Sequence, residues 1–307
     1  MKQCPFFGKC GGCKYDFTAT DYREKKFQEL NKIPVTDDAI WVRAGLRRRA
    51  DCCFANGEFG FFERGTKNII PVRNCQNLTP ALNNVLQIMA ELPWCGAGSC
   101  LITECENGID VAINANVPYF TPEFRDAIIK APIIRATWND KTIKQTDVPL
   151  IKFGEHIVEY PSNAFLQPSV AGADTLRTLV TDAARGFKRV ADLFCGLGNF
   201  TFALNADGFD IVGMGTKRDL FKKPMTVGML NQYDCIVMDP PRAGAMAQCK
   251  EIINSNIKRV IYVSCNPQTF MRDMEILVRG GYKMTKLIPV DQFAGSQHWE
   301  LFCIFDK

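Results

Sequence analysis

The chain has 307 residues, 47% of them hydrophobic and 23% charged, with a formal net charge of +4. That balance belongs to soluble globular proteins, and the length allows one large or two to three modest domains. No apolar run reaches about 18 residues and the opening Met1-Lys2-Gln3-Cys4-Pro5 is unlike a signal peptide, so a cytoplasmic protein without membrane contact is expected; the mild positive charge permits a nucleic-acid partner without demanding one.

Fourteen cysteines without an export signal point to metal or catalytic use rather than a disulfide framework. Three stand together in Cys4-Pro5-Phe6-Phe7-Gly8-Lys9-Cys10-Gly11-Gly12-Cys13, spaced by five residues and then two. The glycines let the backbone wrap closely around something small. A fourth thiolate has to come from afar, and Cys75 in Arg73-Asn74-Cys75-Gln76 is the best candidate. Four thiolates suit zinc or an iron–sulfur cluster. Zinc sites usually come as two close pairs, so a triplet with a distant single favours the cluster. Cys52 and Cys53 are adjacent in an expected strand, point to opposite faces and read as filler.

Residues 17–32 are expected to form a polar helix. Next comes Leu46-Arg47-Arg48-Arg49-Ala50-Asp51, with Phe54, Gly57, Phe59, Phe61 and Phe62 patterned as a β-hairpin turning at Asn56-Gly57. The three arginines are either a solvated strand edge or a set that binds phosphates. A helix is expected over 80–92, then short strands with polar turns over 100–160 and a helix near Pro122 to Lys130. His156, in a strand-like run, reads as structural.

The character changes at Tyr160-Pro161-Ser162-Asn163-Ala164-Phe165-Leu166-Gln167-Pro168-Ser169, where the main domain boundary is placed. A long helical pattern, Val170 to Ala184, leads into Arg189-Val190-Ala191 and then Asp192-Leu193-Phe194-Cys195-Gly196-Leu197-Gly198-Asn199-Phe200, which reads as strand, glycine turn and helix. Glycines there let the backbone approach a ligand, and the helix start offers free N–H groups. An acid at the strand end with one tight G-x-G suits the methionine and ribose of S-adenosylmethionine better than a pyrophosphate. Further strands are expected near 210–214, 234–238 and 258–264, with helices over 246–254 and 267–278.

Three stretches of this half carry chemistry. Cys235 to Met238 is a buried strand ending in Asp239-Pro240-Pro241-Arg242, whose prolines stiffen a loop at the ligand-binding end of an α/β sheet. Arg242 stands where methyltransferases of exocyclic nitrogens have an aromatic residue. Tyr262-Val263-Ser264-Cys265-Asn266-Pro267 puts a cysteine between a strand and a helix, as either a nucleophilic thiolate or a small buried hydrophobe. In Gln297-His298-Trp299-Glu300-Leu301, Glu300 is a surface alternation or a general base.

In this order the motifs resemble the iron–sulfur-containing RNA uridine-5-methyltransferases over nearly the whole chain. The carriers are Cys4, Cys10, Cys13 and Cys75, the run Arg47-Arg48-Arg49, Phe165-Leu166-Gln167, Asp192 to Phe200, Asp239 to Arg242, Ser264 to Pro267 and His298-Trp299-Glu300. The resemblance implies an α/β fold in three parts: a cysteine segment over 1–40 holding a 4Fe-4S cluster with Cys75, a β-rich RNA-binding domain over 41–160, and a Rossmann-like, S-adenosylmethionine-dependent methyltransferase domain over 161–307. It implies attack of Cys265 on carbon 6 of a uracil, methylation at carbon 5 and proton removal by Glu300, on a base taken out of its stack. The cofactor contacts fall on Gln167, Phe194, Gly196, Gly198, Asn199, Asp219 and Asp239, and Arg47, Arg48 and Arg49 would meet phosphates of ribosomal or transfer RNA. No obligate protein partner is expected.

Three departures from the pattern stand out. A small N-terminal β-barrel of many relatives is not expected here, because Cys4 is almost at the start. Gly295 replaces a histidine near the closing motif. The second strand of the nucleotide site is read as Asp210-Ile211-Val212-Gly213-Met214-Gly215, so that Gly215 stands where a carboxylate about 20 residues after the glycine loop should hold the ribose, and the next helix and edge strand are missing. Losing such a bond costs roughly 1.5–3 kcal/mol, or roughly 10- to 150-fold in cofactor affinity. The alternative reading is therefore an RNA-binding homologue with weak or lost methyl transfer.

Overall fold

The computed structural model describes residues 2–307, which group into two compact units. The first contains the residues up to Lys26, Arg43–Val170 and Ala294–Gln297; the second contains Phe27–Val42, Ala171–Phe293 and His298–Lys307. The linear reading divides the chain at 40 and 160; the contacts divide it at 26, 42 and 170, and residues 294–297 join the first unit.

The first unit is built on a seven-stranded sheet, ordered Ile69–Ile70, Glu58–Phe62, Arg49–Ala55, Ala97–Cys105, Gly108–Ala115, Arg135–Trp138, Lys141–Gln145. Its second and third strands form the expected hairpin. Asn56 and Gly57 both take positive φ, 53° and 82°, as a two-residue turn of this hand requires. One pair, Gly108–Ala115 with Arg135–Trp138, is parallel and needs a crossover, which the helix Pro122–Lys130 supplies. That helix and Pro80–Ala90 start alike, with a threonine cap (Thr121, Thr79) accepting from a backbone N–H and a proline in the first turn. The core between helices and sheet is aromatic. Trp94 stacks on Phe54 at 4.4 Å and on Phe59 at 4.9 Å, and Phe124 meets Trp138 edge-on at 5.3 Å. Such pairs add about 0.5–1.5 kcal/mol each beyond area burial.

The helix expected over 17–32 is shorter, Tyr22–Phe27 followed by one 3-10 turn over Gln28–Leu30. Asp16 is the reason: its carboxylate accepts from the N–H and hydroxyl of Thr18, a local turn that competes with the first helical turn.

The second unit holds an eight-stranded mixed sheet in the order Ile40–Trp41, Lys283–Asp291, Glu300–Asp306, Arg259–Ser264, Cys235–Met238, Val190–Leu193, Asp207–Asp210, Thr216–Lys217. All neighbours are parallel except those of Glu300–Asp306. The central strands are apolar runs because both faces are covered. Alternation sorts their side chains: Ile236, Met238, Tyr262, Leu301 and Cys303 pack with Phe270 and Leu277 on one face, while Cys235, Val237, Ile261, Val263 and Phe302 pack with Leu176 and Val180 on the other.

The second strand of the nucleotide-site reading needs correction. It is Asp207–Asp210, paired with Ala191–Leu193, and Ile211–Gly215 leaves the sheet. Asp210 ends the strand by accepting from the N–H groups of Ile211 and Val212 at 2.6 and 3.2 Å. Gly213 and Gly215 then take φ of 98° and 89°, which a strand cannot use. The apolar look of Ile211-Val212 misleads: both side chains are exposed, and the residue that packs into the core is Phe209.

Candidate active site

Because Val190–Leu193, Cys235–Met238 and Arg259–Ser264 are parallel and in register, their carboxyl ends lie along one edge of the sheet. From them emerge the glycine loop, Asp239 to Arg242, and Cys265. The antiparallel strand Glu300–Asp306 starts at that same edge. Ser264 pairs with Leu301 as the last pair of that ladder, and Cys265 and Glu300 are the residues that flank it.

Three strand ends thus place a thiol and two carboxyls in one field. Burial pushes the Cys265 thiol up to about 12, and the neighbouring Glu300 and Asp239 add to the shift while Arg242 opposes it. Glu300 is sealed in the sheet; burial, and then Asp239, push its carboxyl well above the usual carboxylate range. Gln292 holds it by donating to Oε2 at 2.9 Å, whereas Oε1 has no hydrogen-bond partner. A buried carboxyl with one oxygen fixed and one open is poised to exchange a proton. Beneath it Trp299 is fully buried, with Trp41 at 5.1 Å and Phe27 at 6.2 Å, both edge-on.

The loops around Cys265 are tied together. Asn266 caps the helix Pro267–Arg279 through the N–H of Gln268, and its amide donates to the Arg242 carbonyl at 2.8 Å. Thr269 donates to the same carbonyl. A guanidinium nitrogen of Arg242 lies 3.2 Å from Nδ1 of His298. The stiff Pro240-Pro241-Arg242 loop and the cysteine loop are therefore one body, which the sequence motifs give no hint of.

The glycine loop is strained where it turns. Phe194 sits at φ 63°, Gly196 at 52° and Gly198 at 97°, and a Cβ on Gly198 would come 2.7 Å from the Phe202 ring. Asp192 is fully buried below the loop, bonded to the Thr201 hydroxyl at 2.6 Å, and burial pushes its carboxyl up to about 7. Asn199 donates to the Ala173 carbonyl, while its Oδ1 is buried without a partner. The carboxylate of Asp210 accepts from Gly196 N–H at 2.9 Å, and the Gly196 carbonyl accepts from Met214 N–H at 2.9 Å.

Comparisons with known proteins agree on what such a site belongs to. Residues 213–307 match the model of the tRNA (Uracil-5-)-methyltransferase family. An uncharacterized RNA methyltransferase of Mesorhizobium japonicum is 31% identical over 99% of this chain and 84% of its own length. The 23S rRNA (uracil(1939)-C(5))-methyltransferase RlmD of Salmonella typhi is 27% identical over 99% and 81%. The fold is that of the Pyrococcus abyssi tRNA (uracil-54, C5)-methyltransferase, solved in complex with S-adenosyl-L-homocysteine, with a TM-score of 0.68, 18% identity and coverage of 92% of this chain and 81% of that one. The chain belongs to the RNA uracil-5-methyltransferase family. It has the α/β fold of S-adenosylmethionine-dependent methyltransferases.

A uracil-5-methyltransferase needs a place for that cofactor, and the residues of the second unit fit one. Two of the three positive-φ positions from Phe194 to Gly198 are glycines without a β-carbon, the orphaned Oδ1 of Asn199 calls for a donor, and Asp239 supplies a carboxylate at the adjoining strand end. Asp210 is the residue that the motifs miss, since it follows an unremarkable Asp207-Gly208-Phe209. It is the carboxylate at the end of the second strand, where Gly215 was expected to leave a gap. Asp219 lies two residues past the edge strand Thr216–Lys217 and caps its own turn, accepting from Phe221 and Lys222 N–H. Phe221 brings its ring 5.4 Å from that of Phe194.

The other expected site residues lie in the first unit. Gln167 is buried there, and its carbonyl accepts from Arg48 Nε. The arginine run does not form a solvent-facing comb. Arg48 is buried, and Arg49 donates to the Leu166 carbonyl at 3.0 Å with its guanidinium 5.7 Å from the Phe165 ring centre. Arg47 Nε is shut off from water. The cause is a set of backbone carbonyls more than a hundred residues away, which outcompetes water for the guanidinium donors.

Cys4, Cys10, Cys13 and Cys75 are half-buried thiols of this same unit. Turns bonded from Phe7 N–H to Cys4 and from Cys10 N–H to Phe6 wrap the first two. Cys75 is locked by Asn83, which accepts from its N–H and donates to its carbonyl. Burial pushes Cys13 up to about 12, followed by the charges of Cys75, Cys10 and Cys4. N–H groups point at the sulfurs from Gly12 to Cys10 and from the Asn77 amide to Cys13, both at 3.4 Å. Gly295 is needed here: a Cβ would come 2.9 Å from Cys13 Sγ, so the histidine of the family pattern has no room.

Proposed function

We propose that this chain methylates carbon 5 of one uridine in RNA through a covalent bond between Cys265 and carbon 6 of the uracil, with Glu300 as the general base. The observation that carries this reading is that Cys265 and the buried Glu300 flank the last pair of one ladder, Ser264 with Leu301, and that Glu300 is the first charged group acting on the Cys265 thiol. Carbon 5 of uracil is a poor nucleophile. Addition of the Cys265 thiolate to carbon 6 moves electron density onto carbon 5. Bound S-adenosylmethionine supplies the methyl group that carbon 5 takes up. Glu300, through the open Oε1, then accepts the carbon 5 proton, and the sulfur leaves to restore the double bond. Gln292 keeps the carboxyl oriented, and Asn266 and Thr269 keep Arg242 beside the thiol.

Ribosomal 23S RNA is the favoured substrate over transfer RNA, because the Salmonella relative named for it aligns over 99% of this chain. For the cofactor, the residues proposed are Gln167, Phe194, Gly196, Gly198, Asn199, Asp219 and Asp239, with Asp210 added as a carboxylate bonded to the glycine loop at Gly196 N–H. A second reading has one observation in its favour. Asp210 spends its oxygens on three N–H groups of its own loops, which leaves less of it for a ribose and fits a weaker cofactor affinity.

Cys4, Cys10, Cys13 and Cys75 are proposed to hold a 4Fe-4S cluster. Charges of other cysteines of the set that act on Cys10, Cys13 and Cys75, amides directed at two of the sulfurs, and unpartnered buried atoms (Arg47 Nε and Asn77 Oδ1) fit such a group. Among the described residues no three His, Cys, Asp or Glu side chains form a group that could hold a single metal ion.

The test is incubation of the full chain with S-adenosylmethionine and 5-fluorouridine-substituted RNA. Fluorine cannot be removed as a proton, so the reading expects a protein–RNA adduct that survives denaturation. Cys265→Ala is expected to abolish it. An adduct that persists in the alanine variant, or methyl transfer without any adduct, would show the mechanism to be wrong.

A further inference from the structure

Arg47 was grouped with Arg48 and Arg49 by sequence, yet the structure gives it different company. Its backbone is sewn to the stretch just after Cys75: Arg47 N–H donates to the Asn77 carbonyl at 3.0 Å, and Thr79 N–H donates to the Arg47 carbonyl at 3.1 Å. The side chain is thereby delivered to the sulfur site rather than to the Leu166–Gln167 carbonyls that engage its two neighbours. Nε is sealed from water and bonded to nothing. Besides burial, the influences on its charge are the sulfurs of Cys75 and Cys13, which favour it, and the like charge of Arg49.

A guanidinium stays protonated in a protein interior and is costly to bury unless a negative charge answers it. An iron–sulfur core with four thiolates is a buried anion with the complementary need. The dipoles of Gly12 N–H and the Asn77 amide meet part of it. Arg64, whose charge reaches Cys10 and whose guanidinium donates to the Cys13 carbonyl, is exposed and screened by solvent.

We propose that Arg47 is the buried positive counterpart of the four-cysteine site, balancing the charge of the cluster held there and so setting its lifetime and reduction potential, rather than a contact to RNA phosphate. This rests on the cluster reading of Cys4, Cys10, Cys13 and Cys75. The role is one of positioning and charge, exerted through the ligands.

The experiment uses the full chain, reconstituted without oxygen using ferrous iron and sulfide, as wild type, Arg47→Gln and Arg47→Lys. Iron and sulfide content, bleaching of the visible absorption under a chelator, the reduction potential, and RNA binding at several salt concentrations are measured together. Arg47→Gln is expected to lose its cluster about 10- to 100-fold faster and to show a more negative potential, because a lost cation favours the oxidised core. Arg47→Lys keeps the charge and is expected to recover most of both. Thermal unfolding of the iron-free proteins separates this from a folding defect. If Arg47→Gln keeps the wild-type lifetime and potential, the proposal is overturned, and a salt slope of RNA binding reduced by about one would then make Arg47 a phosphate contact. A wild type that takes up neither iron nor sulfide overturns the cluster reading and this inference with it, and is told apart by the wild type alone being colourless.

Discussion

Cys265 and Cys13 are thiols of similar depth, each pushed up to about 12 chiefly by burial, and they differ in what surrounds them. Around Cys265 the next influences are two carboxyls, Glu300 and Asp239, opposed by Arg242. Around Cys13 they are three other thiols, opposed by Arg47, with the Asn77 amide directed at the sulfur. One sulfur is alone among acids at a strand end, suited to staying protonated until a substrate reaches it. The other is one of a set, with a cation and amides ready for shared negative charge. Burial alone does not assign a cysteine its work; the sign of the neighbouring charge does.

The sharpest way to break that contrast acts on the acid beside Cys265. Glu300→Gln keeps the shape but removes the base. Methyl transfer is expected to fall by roughly 10²- to 10⁴-fold. Because the sulfur adds before the proton leaves in the proposed mechanism, ordinary uridine RNA should now remain attached to Cys265, as seen on a denaturing gel. A variant that is slow and shows no attached RNA would remove Glu300 from the elimination step.

A smaller effect is expected from pH. A thiol raised to about 12 is almost wholly protonated at neutrality, so the reactive fraction rises about tenfold per pH unit below that value. Transfer at saturating cofactor should therefore climb from pH 6 to 9. Asp239→Asn removes an anion that raises both Cys265 and Glu300. It should shift the climb toward lower pH, by roughly one unit if the carboxylate acts at contact range. A flat wild-type profile over that range would mean that the thiol is already ionised and that the acids do not govern it.

Much of this site could be read from the chain, and the parts that could not have a common cause. Strand–loop–helix patterns, the Asp239-Pro240-Pro241-Arg242 loop and the Ser264-Cys265-Asn266-Pro267 turn are local, and each falls at a strand end in the sheet. The second strand was misplaced because Ile211-Val212 is more apolar than Asp207-Gly208-Phe209-Asp210. Two glycines at positive φ and a carboxylate that caps its own turn outweighed that apolarity. The contacts of Arg48 and Arg49 were not legible because their partners, the carbonyls of Gln167 and Leu166, are 119 and 117 residues away. The reason for Gly295 is likewise a sulfur far away in sequence, at Cys13. Local rules see periodicity and turns; they do not see which distant carbonyl, amide or thiol will fill the space.

The least effect is expected at Asp192, another buried acid, which tests whether burial below the glycine loop acts on stability alone. Its carboxyl, ordinarily near 3.8, is pushed up to about 7 by burial, with the Thr201 hydroxyl only partly offsetting the shift. A group whose folded pKa is raised binds its proton more tightly in the folded state, so its contribution is complete below about 3.8 and is lost as pH rises to about 7. Asp192→Asn cannot ionise and still offers an oxygen to Thr201. The variant should unfold at a similar temperature to wild type near pH 4 and at a higher one near pH 8, with the difference growing between those limits and then levelling off. If the two unfolding curves stay parallel from pH 4 to 8, Asp192 keeps its charge in the folded protein, and the glycine loop rests on an anion rather than on a neutral acid.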